Sequence, residues 1–267
     1  MSERQGLRGI LIDMDGVLYA ANKIIGGAVE TAAWVRGQGI PHLLVTNTTS
    51  GSRNALADKL LAFGIPVPET EILTPAAAAA EWLRTQAAVE IALFVRSSAR
   101  VEFADLFCLP DDAECGASYV VVGDLGDRWD YRTLNRAFRL LYHNPSAKLV
   151  ALGMTRYWVA PDGISLDVAP FVVALEHATR RKALVFGKPA TPFFVAAVEK
   201  LALPANQVIM VGDDIETDVA GAQAAGLKGA LVRTGKFRST DLDSAVRPDV
   251  VFDSIADLPR WWRGQIG

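Results

Sequence analysis

Two acidic residues stand directly after the first apolar segment of this sequence. Residues 9–12 predict a buried strand, and Asp13 and Asp15 follow it two positions apart. Residues at that spacing in extended chain point the same way, and Gly16 permits a turn that brings their carboxylates together. Like charges so close repel each other, and a bound hard cation such as Mg²⁺ relieves that repulsion. The alternative role for the pair is a helix N-cap or a loop.

A second acidic group follows the apolar residues 208–211. Asp213 and Asp214 come directly after Gly212, and Asp218 lies four residues beyond Asp214, about one helical turn away. A carboxylate at the tip of a strand is a natural source of a further metal ligand, which favours that role for Asp213. Asp214 has a structural alternative, because it is well placed to cap a helix that begins two residues later.

Polar residues also follow two other apolar segments. Thr46 and Asn47 come after residues 40–45, where a hydroxyl, an amide and the N–H groups of a turn can hold phosphoryl oxygens. Lys188 lies in a Gly-Lys-Pro bend after residues 183–186, and its ammonium could reach the carboxylates. Each signal is weak alone, since capping runs and solvated lysines are common. Together, four strand ends predict one site at one edge of one parallel sheet.

The elements that would position these residues alternate between apolar runs and helix-like stretches. This alternation predicts an α/β fold with a doubly wound, Rossmann-like parallel sheet and a smaller α/β domain inserted into it. We predict a core domain from residues 1–73 plus 187–267 and an inserted domain from residues 74–186. The predicted strands are 9–12, 40–45, 91–95, 119–122, 149–152, 183–186, 208–211, 229–232 and 250–252. The predicted helices are 28–36, 54–63, 76–86, 131–142, 191–201 and 216–225.

Composition excludes several classes of protein. Of the 267 residues, 51% are hydrophobic and 21% are charged, which is the balance of a globular chain and not of a disordered one. The formal net charge of -3 disfavours a nucleic-acid partner. The sequence shows no apolar run long enough to cross a membrane and no apolar signal-peptide core, so we expect no membrane partner. Only two cysteines, Cys108 and Cys115, fit a reducing compartment, and we expect a cytoplasmic protein.

With these residues in order along the chain, the sequence resembles the haloacid dehalogenase (HAD) superfamily of phosphotransferases. The segments that carry the resemblance are Asp13-x-Asp15-Gly16, Thr46-Asn47, Lys188 and Gly212-Asp213-Asp214 with Asp218. The large insert is similar to the C2-type cap of the IIA branch, which includes N-acetylglucosamine-phosphate, nitrophenyl-phosphate and phosphoglycolate phosphatases. Residues 187–189, 210–215 and 232–236, with cap residues 152–157 and 166–170, resemble the phospholysine phosphohistidine inorganic pyrophosphate phosphatases more closely still.

The resemblance implies an enzyme that hydrolyses a small phosphorylated substrate with Mg²⁺ as cofactor. Asp13 would attack phosphorus and form an aspartyl-phosphate, and Asp15 would serve as the general acid and then the general base. Lys188 would stabilise both the nucleophile and the phosphoryl group. The implied metal ligands are Asp13, Asp15 through its backbone carbonyl, and Asp213. The other implied residues are Thr46 and Asn47, which bind phosphoryl oxygens, and Asp214 and Asp218, which orient the metal and its waters.

The insert would act as a lid that controls water access and selects the leaving group. Its candidate selecting residues are Asp124, Asp127, Arg156 and Tyr157. Pairing of two copies through this cap is a further expectation from the resemblance. Four alternatives stay open: an inorganic pyrophosphate or phospholysine and phosphohistidine hydrolase, a carbon–halogen hydrolase, a receiver-type signalling domain, and a non-catalytic binding protein on the same fold. The length of the chain and its large insert disfavour the receiver-type domain. The paired acids disfavour the carbon–halogen hydrolase, because that reaction needs no Mg²⁺.

Overall fold

A computed structural model describes residues 6–87, 89–160 and 163–265. Its strands are β1 (Gly9–Asp13), β2 (Tyr19–Ala20), β3 (Lys23–Ile24), β4 (His42–Val45), β5 (Ile72–Leu73), β6 (Ile91–Phe94), β7 (Tyr119–Val122), β8 (Lys148–Ala151), β9 (Tyr157–Ala160), β10 (Gly163–Leu166), β11 (Leu184–Val185), β12 (Val208–Gly212), β13 (Lys228–Val232) and β14 (Val250–Phe252). Its helices are α1 (Ala28–Gly37), α2 (Arg53–Ala62), α3 (Pro75–Arg84), α4 (Ser97–Arg100), α5 (Tyr131–His143), α6 (Val168–Thr179), α7 (Thr191–Leu201), α8 (Gly221–Ala224) and α9 (Leu258–Arg263). A π-helical segment, Ile215–Ala220, precedes α8 directly.

The described chain divides into two compact units. The first unit contains residues 6–46, 53–73 and 188–265, and the second contains residues 47–52 and 74–187. The chain therefore leaves the first unit at residues 47–52 and again at residues 74–187, and it returns each time, as it does around an inserted domain. The predicted α/β architecture, with a smaller α/β domain inserted into the domain of the central parallel sheet, is confirmed.

The first unit is built on a six-stranded parallel sheet in the order β14-β13-β12-β1-β4-β5. The central strand β1 pairs with β12 on one side and β4 on the other, so that Ile12 lies opposite Val211 and Asp13 lies opposite Val45. Because the strands are parallel and in this register, their carboxyl ends reach the same edge of the sheet. The residues that follow β1, β4 and β12 therefore emerge side by side.

Both faces of this sheet are buried, which explains why its strands are apolar without alternation. Ala230 and Val232 of β13 belong to a core cluster that includes Val35 of α1 and Leu60 of α2. Leu231, between them, points to the opposite face and packs with Val219 and Ile215 of the π-helical segment. Helices on both faces hold the strand ends in fixed positions, and this makes the edge of the sheet suitable for a site.

The second unit has its own four-stranded parallel sheet, in the order β11-β8-β7-β6. Phe94 of β6 and Val122 of β7 pack in one core cluster with Leu140 of α5 and Val172 of α6. The consecutive alanines 76–80 of α3 are all buried, and small side chains of this kind let a helix approach its neighbours closely. This unit also contains the antiparallel pair β9–β10.

Most predicted elements lie within about two residues of the observed ones, but three differences matter. The predicted strand 183–186 is reduced to β11 and belongs to the second unit's sheet, so Lys188 does not follow a strand of the central sheet. The predicted helix 216–225 is a π-helical segment followed by the short α8. Helix α6 and the β9–β10 pair were not predicted, because neither has the apolar periodicity of a regular amphipathic element.

Candidate active site

Three aspartates of the first unit meet at the carboxyl edge of the central sheet. Asp13 is the last residue of β1, Asp213 follows β12, and Asp218 lies in the π-helical segment. All three are buried, and one carboxylate oxygen from each lies within 4.8 Å of the other two. Three carboxylates so close, with so little water, repel each other strongly, so the cluster needs positive charge.

Lys188 supplies part of that charge. Its Nζ lies 2.7 Å from Oδ1 of Asp13 and 2.7 Å from Oδ1 of Asp218, and its side chain is only 3% exposed. The lysine therefore bridges the nearest two acids of the cluster as a buried ion pair. Removing one partner from such an arrangement leaves an uncompensated buried charge, which is strongly destabilising.

The third acid, Asp213, is held by the backbone and not by the lysine. Its Oδ2 accepts a hydrogen bond of 2.7 Å from the backbone N–H of Lys236. Its Oδ1 is buried and has no hydrogen-bond partner among the described residues. A buried carboxylate oxygen without a partner is costly, and a cation ligated by that oxygen would compensate it.

Two glycines with positive φ let the backbone close around Asp213. At Gly16 (φ +85°) a Cβ would lie 1.9 Å from Oδ2 of Asp213, and at Gly235 (φ +63°) it would lie 2.0 Å from the same oxygen. Both positions exclude every side chain, on steric and conformational grounds. The hydroxyl of Thr234 donates to the carbonyl of Gly16 at 2.5 Å and ties the two glycine loops together.

Asp214 has the capping role that was one of its two predicted alternatives. Its Oδ1 accepts hydrogen bonds of 3.0 Å from the N–H groups of Glu216 and Thr217 at the start of the π-helical segment. Its own N–H donates to Oδ2 of Asp218 at 3.2 Å. The cap therefore fixes the helical turn that carries Asp218 beside Lys188.

Burial dominates the electrostatics of the cluster. It raises the pKa of Asp13 to about 7 despite the opposing effect of Lys188, and Asp218 and Asp213 raise it further. Burial likewise raises the pKa of Asp213 to about 6, against the lowering effect of the Lys236 N–H. Lys188 stays charged, because Asp13 and Asp218 outweigh the burial that would lower its pKa and hold that pKa above its ordinary value. The cluster carries excess negative charge once its acids are ionised.

These residues fit a divalent metal ion. Carboxylate oxygens are hard ligands, and one of them, Oδ1 of Asp213, is buried without a hydrogen-bond partner among the described residues. With Lys188 protonated, three ionised aspartates would leave two uncompensated negative charges, which a divalent cation would neutralise. The observed geometry thus supports a metal site built from Asp13 and Asp213, with the carboxylate of Asp218 in the same cluster.

The remaining predicted residues of this site have different surroundings. Asp15 is exposed and lies outside the buried cluster, two residues beyond Asp13. Thr46 is buried and directly follows Val45, the residue opposite Asp13, and its N–H donates to the carbonyl of Leu73. Asn47 is half-buried and belongs to the second unit. Its role stays a prediction.

The four residues of the second unit that were predicted to select the leaving group also differ in their surroundings. Oδ2 of Asp124 lies 2.7 Å from Nε of Arg96, and its Oδ1 accepts from the N–H of Gly126, so this carboxylate shapes a turn. Asp127, Arg156 and Tyr157 are exposed. Asp124 is therefore less available for a ligand than the exposed three.

No role was predicted from the sequence for Thr234, Gly235 or Lys236. Their contribution comes from a backbone N–H, a hydroxyl and the absence of a side chain, none of which has a strong signature in sequence. The available signal was their position, directly after Arg233 and the strand β13. A Thr-Gly-Lys segment at the carboxyl end of a parallel strand is a reasonable candidate for a site loop.

Two family models match the chain, one toward each end. A model of the haloacid dehalogenase-like hydrolases matches residues 10–106, and a HAD-hydrolase-like model matches residues 185–258. Between them, the two matches include Asp13 and Lys188 as well as Asp213 and Asp218.

Comparisons over the whole chain also find haloacid dehalogenase-like hydrolases and phosphatases. The chain is 35% identical over 257 residues to the human phospholysine phosphohistidine inorganic pyrophosphate phosphatase, covering 94% of this chain and 93% of that protein. It is 37% identical over 243 residues to the bovine haloacid dehalogenase-like hydrolase domain-containing protein 2, covering 91% and 90%. The structure superposes on a p-nitrophenyl phosphatase from Archaeoglobus fulgidus with a TM-score of 0.85 at 28% identity, covering 96% and 99%. These likenesses, together with the buried Asp–Lys cluster at the sheet edge, show that the chain belongs to the haloacid dehalogenase-like hydrolase family.

Proposed function

We propose that this chain is a Mg²⁺-dependent phosphatase that hydrolyses a small phosphate ester in two steps through an aspartyl-phosphate on Asp13. The observation that carries the proposal is the buried Asp13 carboxylate, whose Oδ1 is held 2.7 Å from the ammonium of Lys188 beside two further buried acids. A carboxylate fixed in this way is oriented for attack, and the adjoining acids provide a place for a metal ion.

In the first step, Oδ2 of Asp13 attacks phosphorus while Lys188 holds the other oxygen. The new bond joins Oδ2 to phosphorus, and the bond from phosphorus to the ester oxygen breaks. Asp15 gives its proton to the departing oxygen. The exposure of Asp15 supports this role, because a general acid must reach the leaving group and later a water molecule.

In the second step, water attacks the phosphorus of the aspartyl-phosphate and gives a proton to Asp15. The bond to Oδ2 of Asp13 breaks, inorganic phosphate leaves, and both aspartates return to their starting protonation states. Lys188 stabilises the carboxylate in both steps. Asp218 positions that lysine from its other side, at 2.7 Å.

The other site residues bind charge and do not react. We assign the metal to Asp13, Asp213 and the backbone carbonyl of Asp15, where Mg²⁺ would offset the negative charge on the phosphoryl oxygens. Thr46 and Asn47, with Lys188, donate to those oxygens. The capping contacts of Asp214 keep the turn of Asp218 in place.

Replacing the nucleophile tests the proposal. Asp13→Asn should abolish Mg²⁺-dependent hydrolysis of p-nitrophenyl phosphate, because the amide cannot form the acyl phosphate. The matched control is Asp253→Asn, since the side chain of Asp253 is 86% exposed and, among the described residues, forms its ion pair with Arg233 at the surface. Unchanged turnover in Asp13→Asn would contradict the mechanism. Absence of turnover in the unsubstituted protein, over a broad phosphometabolite panel, would favour a non-catalytic binding protein instead.

Pyrophosphate and phosphorylated side chains form the second group of candidate substrates. The human relative at 35% identity is named for phospholysine, phosphohistidine and inorganic pyrophosphate. The structural neighbour from Archaeoglobus fulgidus is named for p-nitrophenyl phosphate. Ranking kcat/KM for phosphate esters, pyrophosphate and phospholysine in one assay decides between a P–O ester, a P–O–P and a P–N bond as the preferred target.

Partners, location and oligomeric state are part of the proposal. We propose a small phosphorylated substrate rather than a nucleic acid or a membrane, a cytoplasmic location, and pairing of two copies through the second unit. Both cysteines, Cys108 and Cys115, are free, which is compatible with a reducing compartment. Within the described residues, no helix has the length and apolar character that a membrane crossing requires. Light scattering coupled to size-exclusion chromatography tests the pairing.

A further inference from the structure

A cavity of about 290 Å³ lies within the second unit, at the carboxyl end of β6 and beside helix α5. Its lining includes the apolar side chains of Leu93, Phe94 and Leu125, which are buried. Four arginines line its walls: Arg100, Arg128, Arg132 and Arg136. Charged groups that converge on one cavity beside apolar side chains are typical of a small-molecule site.

Two of these arginines are unpaired. Arg132 and Arg136 make no hydrogen bond and no ion pair with any of the residues that the structure describes. They are four positions apart on α5, so they lie on one face of the helix one turn apart. Like charges at this spacing destabilise a helix, and an anion between them would reverse the sign of that effect.

Of these two arginines, Arg136 is better placed to bind an anion. It is half-buried, and its guanidinium lies 4.3 Å from the centroid of the Phe94 ring. Burial lowers the pKa of Arg136, with Asp111 opposing this effect. A half-buried guanidinium stacked on an aromatic ring keeps its donors in a fixed plane, which suits bidentate contact with a phosphate.

The acids around the cavity do not cancel this positive charge. Asp111 is paired with Arg100 at 2.5 Å, and Glu114 is paired with Arg139, which lies outside the cavity, at 2.7 Å. Among the lining acids, only Asp112 is left without an ion pair in the described part of the chain. Arg128, Arg132 and Arg136 therefore outnumber it, and the cavity favours an anionic ligand.

We propose that this cavity binds a small organic phosphate, with the phosphate against Arg132 and Arg136 and the organic part against the other residues that line the cavity. The site is built wholly from residues of the second unit, and it uses none of the residues assigned to catalysis. Its ligand is a regulator or a second recognition element and is not the group that reacts at Asp13.

Calorimetric titration in EDTA tests this site without turnover, with AMP, adenosine and inorganic phosphate as probes. AMP should bind more tightly than either partial probe, since only AMP carries both the dianion and the ring. Arg136→Met should weaken AMP binding by about tenfold or more, which is the loss expected for charge-assisted hydrogen bonds. Asp13→Asn should leave AMP binding unchanged.

Two further variants complete the design. Arg132 is exposed, so Arg132→Met should fold normally and should also weaken AMP binding, even if Arg136→Met proves unstable. Lys182→Met is the matched control, because this cation of the same unit is 90% exposed and lies outside the cavity. AMP affinity that survives both arginine substitutions, or no AMP binding at all, would overturn the proposal.

Discussion

The two carboxylate oxygens of Asp213 have different surroundings, and this difference leads to a testable prediction. One accepts from the Lys236 N–H, whereas the other is buried without a hydrogen-bond partner among the described residues. In metal-free protein at alkaline pH, Asp213→Asn should raise the free energy of unfolding by about 1 kcal/mol, because it removes an uncompensated buried charge and adds a donor. The same substitution should abolish the stabilisation that Mg²⁺ gives the unsubstituted protein. Thermal unfolding in EDTA and in Mg²⁺ measures both effects.

Asp253→Asn is the control for this experiment as well, because it makes the same chemical change at an exposed carboxylate. It should leave both the metal-free stability and the Mg²⁺ response unchanged. A large Mg²⁺ stabilisation that persists in Asp213→Asn would show that the metal binds elsewhere.

The raised pKa values of Asp13 and Asp213 predict a specific pH dependence. In the folded, metal-free protein these groups titrate at about 7 and about 6, whereas in the unfolded chain they titrate near their ordinary values. Between those limits the folded state binds more protons, so stability falls as pH rises from about 4 to about 7. Mg²⁺ competes with those protons, and its stabilising effect should grow over the same window.

Melting temperatures in EDTA and in Mg²⁺, recorded from about pH 5 to about pH 8, test this coupling. The difference between the two curves should widen toward high pH. A constant difference across the range would mean that the metal displaces no protons from this cluster.

At the scale of single residues, the sequence predicts the types of the site residues and their positions at strand ends. It does not predict which groups those side chains contact. Asp13 and Asp213 follow apolar runs, and that position is visible without coordinates. That Lys188 bridges Asp13 to Asp218 depends on how the π-helical segment packs. The N–H of Lys236 has no side-chain signature, so its contact with Asp213 could not be predicted.

At the scale of elements, the cap formed by Asp214 connects local helix geometry to the site. Asp214→Ala removes the acceptor for the N–H groups of Glu216 and Thr217, and this should cost about 1 kcal/mol of stability. Because the same turn carries Asp218 beside Lys188, the substitution should also lower kcat. Asp214→Ser keeps a capping oxygen and should restore much of both. Chemical denaturation and steady-state kinetics measure the two effects.

A helix N-cap in the second unit provides the matched control for Asp214→Ala. Asp130 caps α5 by accepting from the N–H of Thr133 at 2.7 Å, so Asp130→Ala removes an equivalent contact. It should cost similar stability and leave kcat for p-nitrophenyl phosphate unchanged. If both alanine variants lowered kcat to the same extent, the activity loss would reflect general destabilisation and not the position of Asp218.

Elements with a strong apolar pattern could be predicted, and those without one could not. Strand β7 was predicted with its observed bounds, because four consecutive apolar residues lie between turn signals. Helix α6 is apolar on most sides, so it has weak helical periodicity. The β9 and β10 strands carry large exposed apolar side chains such as Ile164, which is 77% exposed, and so they lack the alternation of a half-buried strand.

At the scale of the whole molecule, the site is assembled from distant parts of the chain that share one unit. Asp13 and Lys188 are 175 positions apart, and the second unit occupies most of the sequence between them. All four groups of the buried cluster, Asp13, Lys188, Asp213 and Asp218, nevertheless belong to the first unit. The long insertion is therefore compatible with a site whose charged groups are fixed by one sheet. Strand order and register, which bring these groups together, depend on long-range pairing that the sequence alone does not specify.

This arrangement predicts that the effect of Mg²⁺ on local stability is confined to the first unit. A ligand that binds only the closed form of a segment slows the local opening of that segment. Hydrogen–deuterium exchange should therefore slow in residues 208–220 and 9–16 when Mg²⁺ is added, and exchange in α5 of the second unit should not change. Asp213→Asn should remove the protection, whereas Asp253→Asn should retain it. Protection that appeared in α5 but not in residues 208–220 would place the metal in the second unit and contradict the assigned ligands.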